Sequence, residues 1–145
     1  MKPEFEEYLG SISVPAALRE RIAIHYESFR FLCPEEITGI FVGDYITQEA
    51  TRIYESLHFF SDSFVMEAKN FLAADQLDRA LVVLPLRYFL MNKQDYDLKK
   101  ATDASRMYFM GFLPEDIRFE FKASKENCDF LRDLIHRYIL PKNRR

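Results

Sequence analysis

Between Val14 and Leu32 the apolar positions return every third or fourth residue, at Leu18, Ile22, Tyr26, Phe29 and Leu32, with His25 in the same stripe. Arg19, Glu20, Glu27 and Arg30 fall mostly elsewhere around the turn, so the spacing predicts an amphipathic helix over about 14–32. Ser13-Val14-Pro15 opens it, because a first-turn proline forfeits no intrahelical bond, and Cys33-Pro34 closes it. Residues 1–12 are acidic and lack a clear period, and read as a flexible lead.

The end of the chain, IRFEFKASKENCDFLRDLIHRYILP, changes period halfway. Ile117, Phe119, Phe121 and Ala123 alternate with Arg118, Glu120 and Lys122, the pattern of a half-buried strand. From Ser124, placed to cap a first turn, the repeat becomes helical over about 125–140. Leu131, Leu134, Ile135, Tyr138 and Ile139 form its apolar stripe, and Asp133 and Arg137 stand four apart as an ordered helix pair. Pro141 is expected to stop it.

Between the two helices the pattern is β-rich. ITGIFVGDYI (37–46) carries Gly39 and Gly43 where bends or bulges fit. TRIYESLHFF and FVMEAKNFL, joined by Ser61-Asp62-Ser63, predict a hairpin of 51–60 with 64–71. A helical turn is expected near 73–79, then a strand from about Val82 to Met91 that Pro85 confines to an edge or bulge. A short strand is expected near 96–100, and SRMYFMGFLP (105–114) turns back through Pro114-Glu115-Asp116 into the last strand.

Composition narrows the class. A chain of 145 residues is most simply one domain, placed here at 13–145, and buries roughly 68–70% of its unfolded surface. Twenty basic against 23 acidic residues leave a net charge of −3, which argues against a nucleic-acid partner. Cys33 and Cys128 make no disulfide framework, MKPEFEEYLG has no apolar signal core, and no apolar run approaches the ~18 residues of a membrane span. A cytoplasmic protein with reduced thiols is the expectation.

The order of helix, six to seven antiparallel strands and closing helix gives an α+β class. Through the hairpin IYESLHFFSDSFVMEAKNF, the strand pair around LPED and the terminus IRFEFKASKENCDFLRDLIHRYI, residues 36–140 resemble the pleckstrin-homology-like superfold, including its bacterial and GRAM-type relatives. The resemblance implies a bent antiparallel β-barrel over about 36–123, capped by the helix at about 125–140, with the first helix as an addition. Phosphoinositide-binding members of that superfold gather Lys and Arg around the loop joining the first two strands. Here GDYITQEATRIYE offers Asp44, Glu49 and Glu55 against Arg52 alone, so a phosphoinositide membrane surface is not the expected partner. An alternative architecture is a helix-grip fold, with an apolar small molecule carried between a long closing helix and a curved sheet; a closing helix of about 16 residues is short for it.

Candidate chemistry is sparse. His25 lies on an apolar stripe and reads as packing, and His58 has Asp62 nearby but neither a nucleophile nor a metal partner. His136 and Cys128 lie too far apart on one helix for zinc, and Glu55 reads as a rim residue or an arginine's partner. No catalytic residue, metal site or cofactor is therefore assigned. The surplus of apolar surface says more. LVVLPLRYFLM and MYFMGFL are apolar on both faces, whereas a barrel strand needs only one. The helix 14–32 can cover one such patch, and the remainder is expected to bind a protein partner or a second copy, making a homo-oligomer. Phe89, Met91, Tyr108, Met110 and Phe112 are the expected anchors. The expectation is a non-catalytic interaction module, with the small-molecule carrier as its alternative.

Overall fold

A computed structural model describes residues 1–68, 81–88, 90–91, 107–112 and 118–143. The expected helical turn near 73–79, the strand near 96–100 and Phe89 lie outside them. Two helices come first, α1 (Pro3–Ser11) and α2 (Ala16–Leu32). The segment expected to be a flexible lead is thus a helix, and the correction has a plain cause. Phe5, Tyr8 and Leu9 share one side of α1 and are all buried, a three-to-four spacing too short to stand out among the surrounding acids. Ser13 ends α1 in the left-handed region at φ 57°, with its amide and that of Val14 returning to the Gly10 and Leu9 carbonyls.

The strands build two antiparallel sheets. The first has the order β1 (Ile37–Ile46), β2 (Arg52–Ser61), β3 (Phe64–Ala68), β4 (Leu81–Pro85). The second has the order β5 (Leu90–Met91), β6 (Met107–Phe112), β7 (Arg118–Ala123). The single strand expected over Val82–Met91 is divided. Pro85 ends β4, Leu86–Tyr88 make a 3₁₀ turn, and the chain re-enters the other sheet as β5. Register shifts in β1 fall between Ile37 and Gly39 and between Gly43 and Asp44, where the two glycines stand.

Alternation along β2 explains why its sequence is apolar on both faces. Phe59 points to one side and meets Phe5 of α1 and Tyr26 and Phe29 of α2, with ring centroids 5.6–6.5 Å apart. His58 and Phe60 point to the other and meet Phe121 of β7, at 4.8 and 6.4 Å. The N-terminal helices therefore roof the outside of the first sheet, and Phe121 brings the second sheet against its inside.

The closing helix follows a 3₁₀ turn at Lys125–Asn127, runs as α3 (Cys128–Leu134), widens into a π-helix at Ile135–Ile139 and continues as 3₁₀ through Pro141 to Asn143. Ser124 does not cap it. Its amide and hydroxyl both donate to the buried Asp44 carboxylate, each at 2.7 Å. Among the described residues no helix is long and apolar enough to cross a membrane.

Candidate interaction surface

Of the anchors expected from sequence, Met91, Tyr108, Met110 and Phe112 fall on the second sheet. Tyr108, Met110 and Phe112 pair in register with Lys122, Glu120 and Arg118. Directly paired residues of an antiparallel ladder share a face, so these three positions belong to the side opposite the buried Phe121. Met91 pairs with Gly111. The α2 helix, expected to shield part of the surplus apolar surface, lies against Phe59 of the first sheet, to which Leu81–Pro85 also belong.

On α2 itself a second apolar strip was missed. Ile22, His25, Tyr26 and Phe29 are buried, as their spacing required, but Phe31 is 89% exposed and Ile24 51%. Ile24 and Phe31 stand seven apart, two helical turns along the outward side. Leu32, placed on the inner stripe by spacing, is also half exposed because the helix ends there. The signal was present: two large apolar residues on the polar side of an otherwise regular amphipathic helix.

A groove opens on another part of the molecule, between α1, β1 and the closing helix, with a volume of about 220 Å³. Phe5, Ile40, Phe130 and Leu134 give it apolar walls, and Glu4 and Asp133 stand at its rims. Tyr138 closes one end. Its ring stacks on Phe60 at 5.0 Å, its hydroxyl shares a 2.7 Å hydrogen bond with Thr38 Oγ1, and Arg137 lies over it at 5.0 Å. Burial pushes the Tyr138 phenol pKa up, so it stays neutral.

The polar candidates have interior roles. His58 is fully buried, and its Nε2 lies 2.8 Å from Oε2 of Glu67, its cross-strand neighbour; the carboxylate beside it is therefore Glu67 rather than the expected Asp62. Glu55 meets Lys122 at 3.1 Å rather than an arginine. In the β1–β2 region, Arg52 is committed inward. It donates to the Ile12 carbonyl at 2.8 Å, pairs with Asp44 at 3.4 Å and also pairs with Glu126. Asp44 further accepts a 3.0 Å bond from Asn127, so this acidic residue is the knot tying β1 to the start of α3. Among the described residues, no three His, Cys, Asp or Glu side chains gather as a metal would require. The chain matches no family model, no curated protein and no solved structure.

Proposed function

We propose that the chain is a non-catalytic interaction module on a pleckstrin-homology-like barrel, binding a protein partner or a second copy through apolar side chains on its outside. The element order supports the architecture: a four-stranded and a three-stranded antiparallel sheet, then a helix after the last strand. The observation that carries the function is Phe31. Phe5, Phe29, Phe41, Phe59, Phe60 and Phe121 are buried, while Phe31 stands in water with Ile24 two turns away. Fully burying such a side chain is favourable by about 1.5–3 kcal/mol, so a partner that covers the strip gains what folding left unused. The Tyr108, Met110 and Phe112 face of the second sheet is the other proposed part of this surface. An apolar-ligand carrier is less well supported: the groove of about 220 Å³ falls below the roughly 300–1,000 Å³ of small-molecule pockets, and a hollow of about 310 Å³ beside Ser63, Phe64, Pro85 and Arg87 only reaches the lower end of that range.

Site-specific photocrosslinking tests this reading. A benzophenone side chain at position 31, in cells producing the protein, is expected to yield discrete adducts with one partner or with the chain itself. The same group at Glu20, exposed on the same helix, serves as control. Adducts no more abundant or specific at 31 than at 20 would sink the proposal, and sedimentation of the purified chain separates self-association from a different partner.

A further inference from the structure

We infer that the groove between α1, β1 and the closing helix docks a short extended segment of another protein, which pairs with the main chain of Ile40 and seats one apolar side chain. The first reason is the direction of the β1 backbone. β1 is an outer strand of its sheet. The Val42 amide donates to Tyr8 Oη at 3.0 Å and its carbonyl accepts from Asn127 Nδ2 at 2.8 Å, so both groups face away from β2. Ile40, two residues earlier and in register with Phe59, presents its amide and carbonyl to the same side by the alternation of an antiparallel ladder. It lines the groove. An outward pair of backbone groups on an outer strand is a template for one more extended residue.

The chain itself limits how much of this edge is open. Tyr8 and Asn127 occupy it at Val42, and Tyr138 stands against Thr38 and Gly39 at the other end. What remains is a window about one residue long, beside a space of about 220 Å³. A cavity of about 150 Å³ already accepts benzene, so a single Leu, Ile or Phe side chain fits between Phe5, Phe130 and Leu134. A helical ligand does not suit the window, because its own backbone groups are paired internally.

Charge and helix geometry add to this. Glu4 and Asp133 are exposed at the rims, and the Arg137 guanidinium is drawn over the Tyr138 ring, so a lysine or arginine beside the apolar residue is complementary. The wall bearing Arg137 and Tyr138 is the π-helical stretch Ile135–Ile139, a widened turn frequent at functional sites. Neither Ile24 nor Phe31 lines this groove, so the inference goes beyond the α2 strip and stands or falls separately from it.

The test selects random hexapeptides displayed on phage against the intact chain, then titrates the enriched peptides into ¹⁵N-labelled protein. Enrichment is expected for sequences with one Leu, Ile or Phe next to Lys or Arg. On binding, the Ile40 amide should shift and exchange with solvent at least about tenfold more slowly. Ile40→Pro, which removes the outward amide at a position where an outer strand tolerates proline, should weaken binding at least about tenfold. Glu4→Lys with Asp133→Lys alters only exposed side chains, and should weaken it about fivefold or more while turning preference toward acidic peptides. No enrichment, selection of helical or acidic peptides, or binding indifferent to the Glu4/Asp133 pair overturns the inference. Protection of Ile40 that rises with protein concentration and needs no peptide makes a second copy the occupant, and overturns it too.

Discussion

A β-carbon added at Gly39 would stand 2.7 Å from Tyr138 Oη and 2.8 Å from its ring, and that ring is wedged against Phe60. Relieving the clash would draw the tyrosine off its stack on Phe60 and its bond to Thr38, so Gly39→Ala should cost about 1–3 kcal/mol, read as a lower denaturation midpoint with an unchanged slope. At Gly10 the nearest side-chain atom would be the mobile end of Arg19 at 3.6 Å. There, within a helix, alanine should be neutral or stabilise by up to about 1 kcal/mol. Tyr8 poses a different question. Its hydroxyl accepts the Val42 amide and donates to Asn127 Oδ1 at 2.9 Å, all of it buried. Tyr8→Phe keeps the ring packed on Phe130 but strands those groups, with an expected loss of about 1–3 kcal/mol. The hydroxyl itself does not ionise in the working range, because burial holds its pKa far above the usual value.

The junction of β1 with the closing helix converges on Asp44, which takes hydrogen bonds from the Ser124 amide and hydroxyl and from Asn127 and faces the Arg52 guanidinium. Asp44→Ala leaves those donors buried without their acceptor, and a loss of about 3–5 kcal/mol is expected. Amide exchange should accelerate first at Ser124–Asn127, where the 3₁₀ turn loses its anchor. The helix α1 is a second such case. Burying Phe5, Tyr8 and Leu9 contributes about 1.5–3 kcal/mol each at most, and their removal also uncovers Phe59. That sum approaches the roughly 5–15 kcal/mol total stability of a domain. A chain lacking residues 1–11 should therefore lose cooperative thermal unfolding, whereas an unstructured lead could be cut without effect.

At the scale of the whole molecule, stability should fall on the acid side through His25. Burial of its imidazole, with Arg21 nearby, lowers its pKa below the ordinary 6.5. Above pH 6.5 the imidazole is neutral in both folded and unfolded chains, and its contribution to stability is complete. As pH drops below that value the unfolded chain takes up the proton first, and stability is lost until the folded pKa is passed. The loss is at most about 1.4 kcal/mol per pH unit, and His25→Gln should flatten it in urea titrations between pH 7 and 5. The outward face of α2 acts at the same scale, since Ile24, Phe31 and Leu32 leave the isolated chain with uncovered apolar surface. Phe31→Ser should leave the folded stability within about 0.5 kcal/mol of the parent while raising solubility, because the side chain is almost wholly exposed.

Periodicity by itself determined α2, the strand β7 and the stripe of the closing helix, because each repeats its burial within one element. Residue type marked the hairpin of β2 and β3, through β-branched and aromatic runs around Ser61-Asp62-Ser63, and the bulges at Gly39 and Gly43. Periodicity did not reach α1, whose apolar side has too few turns to outweigh its acids, nor the break at Pro85, where one apolar run serves two sheets. The tertiary structure alone decided which residues meet: Asp44 with Ser124, His58 with Glu67, Tyr138 with Gly39, and the groove that α1, β1 and the closing helix share. The reason is separation along the chain. Hydrophobic spacing reports which way a side chain points within its own helix or strand, while a partner 80 or 100 residues away is chosen by how the folded elements pack.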